Sequence, residues 1–448
     1  MNLINNLVDY AVSLEPEKIP PDVLEVAKQC ALDWLGSALA GSRSPPVDII
    51  VDTVSSEKCN GTLIGRETHA SLLDAAFING TAGHAVELDN VLDALGGHPT
   101  ATILPALFAM SEIEKTSGRL FLAAIVVGIE IQCRVAALIG KTLRQSGFHS
   151  TSFIGTLGAA VAAGYLAGLT KKELRSSLVI AFSQASGGHF AFGTMLKPVQ
   201  TGNAAMNGVR ATLLAKRGLV VSTNPLAPPN GFSGLFGSID LEKYRTANEM
   251  NIYFTSETIF KDYPCCFALH GVVDAALQIK ALAGYNIDLV GAIEVEVHPG
   301  VSELCNFGVP ESTEQTRFSV PYAVAMSLSP WDPTSVNSWS INGIAYPPLE
   351  KLIKSVRLIV RPPTENSICK VKVIQFNGEL LVANSKLRKP SADLKGQWEH
   401  LLKKFRRYAT PILDKTRIKE LVEDFEVFDE LLDVAIVLRK ATAATHKT

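Results

Sequence analysis

Apolar residues recur at helical spacing through most of the first half of the chain. One helix begins at Pro20-Pro21-Asp22 and ends by Gly41. Further helices are predicted over the ranges 71–83, 101–115 and 120–138. Between residues 147 and 218, alanine and glycine recur at helical spacing, which lets helices approach closely, and these glycines do not have the spacing of a nucleotide-binding loop. The first part of the chain is therefore predicted to be all-helical.

The pattern changes near residue 265, where apolar and polar residues begin to alternate as in half-buried strands. Strands are predicted over 292–298, 356–361, 370–376 and 379–383, with a hairpin turn at Asn377-Gly378. Helices are predicted over 272–283, 322–328, 347–354 and, in the tail, within 396–438. We therefore predict a mainly α fold with an α+β second domain. Residues 1–264 and 396–448 would form a large helical domain, and residues 265–395 a smaller α+β domain.

The bulk composition narrows the class of protein. A chain of 448 residues exceeds one ordinary core, so two domains are expected. Hydrophobic residues make up 47% and charged residues 19%, which is typical of a well-buried globular protein. The net charge of −2, without a long basic run, favours neither nucleic acid nor a membrane surface as a partner. Positive charge for an anionic substrate must therefore be local.

The seven cysteines are odd in number, widely spaced and without a Cys-x-x-Cys pair. They predict reduced thiols in a cytoplasmic setting, and they argue against a disulfide framework, structural zinc or an iron–sulfur cluster. The segment from Met1 to Pro16 lacks the basic and apolar regions of a signal peptide. The apolar stretch 120–140 contains Glu130, Gln132 and Arg134, so a buried helix is favoured over a membrane span.

A polar stretch from Asn79 to Leu104 lies between two apolar helices. Its polar and ionisable residues include His84, Glu87, Asp89, Asn90, Asp93 and His98. A spacing of three predicts that His84 and Glu87 share one helix face, and Gly96-Gly97 allows a sharp turn before His98. This stretch is interpreted as a catalytic loop. A metal site made by His84, Glu87, Asp89 and His98 is the alternative, but no second ligand cluster supports it, and no metal is predicted.

Four further motifs place a cation or a proton carrier near the start of a helix, where free backbone amides favour anions. They are Gly147-Phe148-His149, Gly193-Thr194-Met195-Leu196-Lys197-Pro198, Lys261-Asp262-Tyr263 with the following His270, and Arg317-Phe318-Ser319-Val320-Pro321-Tyr322. Packing is the alternative role for Tyr322, and a surface charge for Arg317. The looser segment 222–238 is interpreted either as an ordered loop near the site or as a plain connection.

In this order, the motifs resemble the MmgE/PrpD family, which includes 2-methylcitrate dehydratases, cis-aconitate decarboxylases and iminodisuccinate epimerases. The resemblance rests on Gly83-His84-Ala85 with His98-Pro99, Gly147-Phe148-His149, Gly193-Thr194-Met195 with Lys197-Pro198, and Phe318-Ser319 with Pro321-Tyr322. It implies a large helical domain closed by both chain ends, an inserted α+β lid and a homodimer.

The same resemblance implies active-site positions at Glu87, His98, His149, Lys197, His270 and Tyr322. Citrate-type members usually carry Asp where this chain has Glu87, and Asp-Thr-Trp where it has Asn90-Val91-Leu92. Val91 lacks the threonine hydroxyl that could bind a substrate. The segment from Glu87 to Val91 is therefore where a different substrate preference is expected.

Dehydration, decarboxylation and epimerisation of polycarboxylic acids all create carbanion character beside a carboxylate. Each needs cations to hold carboxylates and a group of tuned pKa to move a proton. We therefore predict a cytoplasmic lyase that acts on a small polycarboxylic acid without a cofactor. The predicted roles are proton movement by His98 or His149, carboxylate binding by Lys197 and His270, and proton delivery by Tyr322 or Glu87. Further substrate-binding residues are predicted at His84, Asp89, Lys261 and Arg317.

Two alternatives stay open at this point. An epimerase of an imino- or amino-dicarboxylic acid, such as iminodisuccinate, would need two proton carriers on opposite faces of one carbon. The departures at Glu87 and Val91 are compatible with such an isomerase. A non-catalytic helical binding protein is the second alternative, and the presence of the histidines, Lys197 and Tyr322 together argues against it.

Overall fold

The computed structural model describes residues 3–54, 61–222, 231, 239–249, 252–305, 307–361, 368–386 and 388–443. The predicted loop at 222–238 thus lies outside the described residues except for 222 and 231. The helices of the first part are α1 (Leu3–Ser13), α2 (Pro21–Gly41), α3 (Pro45–Thr53), α4 (Leu72–His84), α5 (Thr100–Ser111), α6 (Gly118–Gln145), α7 (Ser150–Leu166), α8 (Lys171–Gln184), α9 (Leu196–Lys216) and α10 (Leu241–Glu249). Two short strands, β1 (Gly61–Thr62) and β2 (His69–Ala70), pair antiparallel.

Small residues let α4 and α9 pack closely. A Cβ atom on Gly202 of α9 would lie 2.3 Å from the carbonyl oxygen of Phe77 in α4. A Cβ atom on Gly80 of α4 would lie 2.9 Å from the Cα atom of Gly202. Any side chain at these positions would push the helices apart. The close contact brings the end of α4 beside the start of α9, which carry His84 and Lys197 respectively.

The middle of the chain forms the α+β part. Its helices are α11 (His270–Lys280), α12 (Pro299–Leu304), α13 (Thr313–Thr316), α14 (Val320–Leu328) and α15 (Pro347–Lys354). Its strands are β3 (Val290–Val297), β4 (Val356–Val360), β5 (Cys369–Gln375) and β6 (Leu380–Ser385), in the order β4-β3-β5-β6. β3 pairs with β4 in parallel, and the other pairs are antiparallel. The turn between β5 and β6 contains Gly378 with a φ of 86°, as expected for an Asn-Gly hairpin.

The chain then returns as α16 (Leu394–Ala409), α17 (Lys415–Glu426) and α18 (Ala435–Lys440). α16 packs on α2, where Gln397 donates to Gln29 at 2.7 Å and the Lys28 ammonium lies 4.9 Å from the ring centre of Trp398. One hydrophobic core joins these helices to the first part of the chain. A second core runs from Tyr263 to Ala383 and fills the α+β part. The predicted fold class, mainly α with an α+β second domain, is confirmed.

Several predicted ends were wrong by a turn or more. α5 stops at Ser111 rather than at 115, where the Glu112 amide bonds back to the carbonyls of Ala109 and Met110. α6 continues to Gln145 rather than stopping at 138, because its apolar face stays buried through Leu143. By length and composition α6 could cross a membrane, and its most apolar segment is entirely buried in the fold.

Candidate active site

The backbone after α4 shows that the prediction of one helix face for His84 and Glu87 was wrong. α4 ends at His84, so Glu87 does not share a helix face with it. Glu87 instead has a φ of 55°, in the left-handed region that a side chain enters at a cost of about 1–2 kcal/mol. The turn still brings the two side chains together, with His84 Nε2 at 3.7 Å from Glu87 Oε1. Strained backbone of this kind concentrates at functional sites.

A buried chain of polar contacts joins Asp89, His84 and Lys197. His84 Nδ1 lies 3.0 Å from both carboxylate oxygens of Asp89, and His84 Nε2 lies 2.6 Å from Lys197 Nζ. Asp89 accepts and a lysine ammonium can only donate, so His84 Nδ1 donates to Asp89 and His84 Nε2 accepts from Lys197. Burial raises the pKa of Asp89, but the charges and hydrogen bonds of His84 and His98 outweigh it and hold that pKa well below its usual value.

Glu87 is the direct counter-ion of two buried lysines. Lys197 donates to its Oε1, and Lys261 Nζ lies 3.6 Å from its Oε2. Burial raises the pKa of Glu87, yet Lys197, His84 and Lys261 together hold it below its usual value. Two ammonium groups thus share one nearby carboxylate at the inner end of the site.

His98 presents a free basic nitrogen. Its Nδ1 lies 3.2 Å from both the carbonyl oxygen and a carboxylate oxygen of Asp89, so Nδ1 carries the proton and donates. Its amide donates to Thr151 Oγ1 at 3.1 Å, which fixes the turn made by Gly96-Gly97. Burial lowers the pKa of His98 to about 4 and outweighs the opposing charge of Asp89. The unprotonated Nε2 is left for a ligand.

His149 is arranged in the same way from a different element. It precedes α7, and its Nδ1 lies 3.3 Å from Gln200 Oε1. The Gln200 amide is oriented by its own donation to the Gly188 carbonyl at 3.3 Å, so Oε1 accepts and His149 Nδ1 carries the proton. Burial, reinforced by Lys197 and His84, holds the pKa of His149 well below its usual value.

The two remaining predicted cations lie behind these groups. Lys261 Nζ is fully buried and makes no hydrogen bond within the described part of the chain. Arg317 is 6% exposed, and its Nε atom has no partner there either. Burial lowers the pKa of Arg317, against the attraction of Glu314 and Glu87. Both side chains add positive potential to the site, and Arg317 is not the surface charge that the sequence left possible.

His270 and Tyr322 do not line the cavity that is lined by the other four residues predicted as catalytic. His270 lines a neighbouring cavity, and neither of its ring nitrogens has a hydrogen-bond partner in the described residues. The Tyr322 hydroxyl donates to the carbonyl oxygens of Ser338 and Ser340, at 2.7 and 3.0 Å. Burial raises its pKa to about 12. This geometry gives Tyr322 a packing role, while its predicted part in proton delivery stays a prediction.

The cavity has a volume of about 420 Å³. Glu87, His98, His149 and Lys197 line it together. Sequence reasoning missed several other residues of its wall: Thr151, Arg144, His189, Phe192 and Cys266. Phe192 stands 5.2 Å from the Lys197 ammonium and 5.1 Å from the His149 ring, measured to its ring centre. The wall is therefore largely apolar, its buried charges are Glu87 and Lys197, and its exposed charges are Asp93 and Arg144.

Buried polar residues behind the loop hold it in place, and sequence reasoning did not identify them. Lys404 of α16 donates to Asp33 of α2 at 2.5 Å and to the Leu88 carbonyl at 3.0 Å. Asn90 donates to the other oxygen of Asp33 at 3.2 Å and accepts from Thr100 at 2.9 Å. Lys404 and Leu88 lie more than 300 residues apart along the chain, so only the fold brings them together.

Three potential metal ligands, His84, Asp89 and His98, have donor atoms within 4.8 Å of one another. The hydrogen bonds described above already occupy Nδ1 of both histidines, and Lys197 occupies Nε2 of His84. A divalent cation here would have to displace Lys197 or the bonds to Asp89. The donor set thus fits a hydrogen-bonded network better than a metal centre, whose histidine ligands must offer a free lone pair.

Comparison with known proteins identifies two family domains that follow one another along the chain. The MmgE/PrpD N-terminal domain matches residues 5–242, and the MmgE/PrpD C-terminal domain matches residues 263–427. Cis-aconitate decarboxylase of Mus musculus is 28% identical over 451 residues, covering 95% of this chain and 90% of the relative. Cis-aconitate decarboxylase of Aspergillus terreus is 28% identical over 464 residues, covering 97% of this chain and 94% of the relative.

A third relative covers less of the chain at higher identity. The cis-aconitate decarboxylase-like protein oryM of Aspergillus oryzae is 36% identical over 230 residues, which is 49% of this chain and 48% of the relative. These relatives, together with the domain matches, support a lyase. The two domain matches follow one another along most of the sequence, and the chain belongs to the MmgE/PrpD family.

Proposed function

We propose that this protein decarboxylates an unsaturated tricarboxylic acid of the cis-aconitate type. The observation that carries the proposal is the buried ammonium of Lys197, which lines the cavity together with His98 and His149, and neither of these histidines has an Nε2 hydrogen bond to the described residues. A polyanion entering the cavity meets Lys197 directly and Lys261 just behind Glu87. The relatives named cis-aconitate decarboxylase support the same reaction class.

The reaction can be written with these groups alone. The bond between a methylene carbon and its carboxylate breaks, and its electron pair forms a new double bond to the central carbon. The former double-bond pair then takes a proton at its far carbon, and carbon dioxide leaves. Lys197 would hold a retained carboxylate and stabilise the charge that spreads over the skeleton. His98 or His149 would supply the proton.

The low pKa values of His98 and His149 favour their neutral forms in the free protein, and we infer that the proton is acquired on binding. Burial and nearby positive charge lower the pKa values of His98 and His149. A carboxylate within about 4–6 Å favours the charged form of a histidine and acts against those effects. We therefore infer that the bound polyanion raises both pKa values and loads one histidine with the proton that the carbon receives.

Position 91 favours decarboxylation over dehydration. Val91 lines the cavity and offers only methyl groups, so no hydroxyl is present there to hold a leaving hydroxyl group. One observation supports dehydration as a second candidate: Thr151, which also lines the cavity, accepts from the His98 amide and keeps its own proton free to donate. His98 and His149 line the same cavity, which likewise keeps epimerisation as a third candidate.

One experiment separates these reactions. The protein is incubated in deuterated water with cis-aconitate, citrate, 2-methylcitrate and iminodisuccinate, each with and without a chelator, and followed by NMR. Decarboxylation predicts carbon dioxide release from cis-aconitate and one deuterium in the product. Loss of water from a citrate would show dehydration instead, and deuterium exchange with inversion would show epimerisation.

A matched pair of lysine variants tests the site itself. Lys197→Met should lower turnover about 10²–10³-fold, which is typical for the loss of one fixed group that stabilises developing charge. Lys216→Met changes a half-exposed lysine at the other end of the same helix and should leave turnover unchanged. Full activity of Lys197→Met would show that the reaction takes place elsewhere.

We propose further that the protein works without a cofactor, as a homodimer in a reducing compartment. None of the six cysteines in the described residues forms a disulfide. The exposed side chains of Phe190, Met195 and Leu196 give an apolar surface next to the cavity that a second copy could cover. Sedimentation of the protein and of a Phe190→Ser variant would test the dimer.

A further inference from the structure

A second cavity adjoins the candidate active site. It has a volume of about 360 Å³. Phe267, Ala268 and Leu304, together with the exposed Asp93, line both cavities. The two cavities therefore adjoin at these four residues, which lie just before α11, at the end of α12 and in the loop after α4, and a substituent on a bound acid could extend from the first cavity toward the second.

The cations of the second cavity are already neutralised. Arg388 donates to Asp274 at 2.8 Å and also to Asp262. His298 Nδ1 accepts from the Gly300 amide at 3.0 Å. His270 is uncharged near neutral pH, since burial, Lys261 and Arg388 hold its pKa well below the usual value. The Arg388 charge is therefore fully paired here, whereas at the Lys197 end of the first cavity two lysines share the Glu87 carboxylate.

Apart from the exposed Asp93 and the two glycines Gly271 and Gly300, the rest of the lining is apolar and well suited to hydrocarbon. Val301 and Ile368 face this cavity, and Phe267, Ala268 and Leu304 form its border with the first. We propose that the second cavity binds an alkyl substituent of a polycarboxylic acid whose carboxylates are held at Lys197. This inference rests on the proposed function for the location of the carboxylates, and it extends the substrate class to acids that carry a hydrocarbon chain.

The size of the effect follows from the volume and from apolar transfer. At about 30 Å³ for a water-sized group, the cavity has room for several methylene groups. Each methylene that leaves water should tighten binding about fourfold, equivalent to ~0.8 kcal/mol. The gain should stop when the chain reaches the end of the cavity.

The test uses 2-alkylsuccinates, which carry two carboxylates but lack the reacting double bond. Calorimetry with succinate and its methyl, butyl and hexyl derivatives gives a Kd series that is independent of turnover. The wild-type protein should bind each longer chain more tightly, by about fourfold per methylene. Val301→Phe and Ile368→Phe, which fill the second cavity, should abolish this gain while leaving the Kd of succinate unchanged.

The control is Val309→Phe, which makes the same change at a half-exposed position. It should keep the full chain-length dependence. Thermal unfolding identifies any variant that fails to fold. A Kd that does not fall with chain length in the wild type would overturn the inference, as would tighter binding of an analogue with a carboxylate at the end of the chain. Absence of turnover with every acid would refute the proposed function, while this binding series would still decide whether the cavity takes an alkyl chain.

Discussion

The buried pair of Lys404 and Asp33 gives the sharpest test of how the fold holds the loop. Lys404→Met keeps the length of the side chain and removes its charge. The Lys404 and Asp33 side chains are 7% and 0% exposed, so solvent cannot replace the lost ammonium. The change leaves the Asp33 carboxylate with Asn90 as its remaining side-chain partner and the Leu88 carbonyl without its donor.

The magnitude follows from the burial. Removal of one partner of a buried ion pair costs about 3–5 kcal/mol, because the other charge stays behind without compensation. Replacement of both partners by neutral groups of similar shape is often close to neutral. We therefore expect Lys404→Met to lower the free energy of unfolding by about 3–5 kcal/mol, and Asp33→Asn combined with Lys404→Met to recover most of that loss.

The pH dependence gives a second signature. Burial raises the pKa of Asp33 even with Lys404 present, so the folded state binds its proton more readily than the unfolded state does. Stability linked to this group is greatest below the unfolded pKa of about 3.9 and falls as pH rises through the folded pKa. Removal of Lys404 strengthens this effect. The deficit of Lys404→Met should therefore shrink on acidification, and the double variant should lack that trend.

Urea unfolding of the wild type, both single variants and the double variant, measured at several pH values, provides the assay. Turnover is measured in parallel, because Leu88 lies between Glu87 and Asp89. The reasoning would be refuted by a loss below about 1 kcal/mol in Lys404→Met, or by a double variant as unstable as the single one. Either result would mean that water or a rearrangement satisfies Asp33.

Three further predictions concern the loop itself. The pKa of His98 is about 4 in the folded state and about 6.5 in the unfolded state, so the contribution of His98 to stability is complete above pH 6.5 and is lost as pH falls toward 4. In urea unfolding, His98→Gln should flatten the dependence of the unfolding free energy on pH by up to about 1.4 kcal/mol per pH unit. Gly96→Ala and Gly168→Ala both place a side chain at positive φ and should each cost about 1–2 kcal/mol, but only Gly96→Ala, whose Cβ would lie 3.0 Å from Arg144, should lower turnover; equal turnover would contradict this. A chelator should leave turnover unchanged, and its loss, restored by added metal, would show that His84, Asp89 and His98 bind a cation.

Much of this architecture follows from local sequence signals. The alternation of apolar and polar residues predicted the strands, and Asn377-Gly378 predicted the hairpin between β5 and β6. These two features could be predicted because each depends on residues that are close in the sequence. The alanines and glycines of α7 and α9 indicated close helix packing for the same reason. Helix ends were less accurate, as at α6, where burial by distant parts of the chain extends the helix beyond the predicted 138.

The identities of several site residues could likewise be predicted from the sequence, but their detailed geometry could not. His84, Glu87, His98 and Lys197 could be named from motifs, and the structure brings their side chains together. The ring nitrogen that carries the proton in His84 and His149 could not be inferred, since it depends on their acceptors Asp89 and Gln200 in the folded chain. The left-handed turn at Glu87 was also hidden, because helical spacing predicts the same proximity by a different backbone path.

Burial, with nearby positive charge adding to it, holds the pKa values of His98 and His149 below their usual range. The buried cations Lys197, Lys261 and Arg317 outnumber the buried carboxylates Glu87 and Asp89, and under the proposed function this excess attracts a polyanion. The low pKa values also prevent two further charges from accumulating in a buried space. A bound anion would offset the nearby positive charge and so favour the protonated form of the histidines. The substrate would thereby supply both the reacting carbon and the field that protonates its acid, and an apolar wall around the site would strengthen each of these interactions.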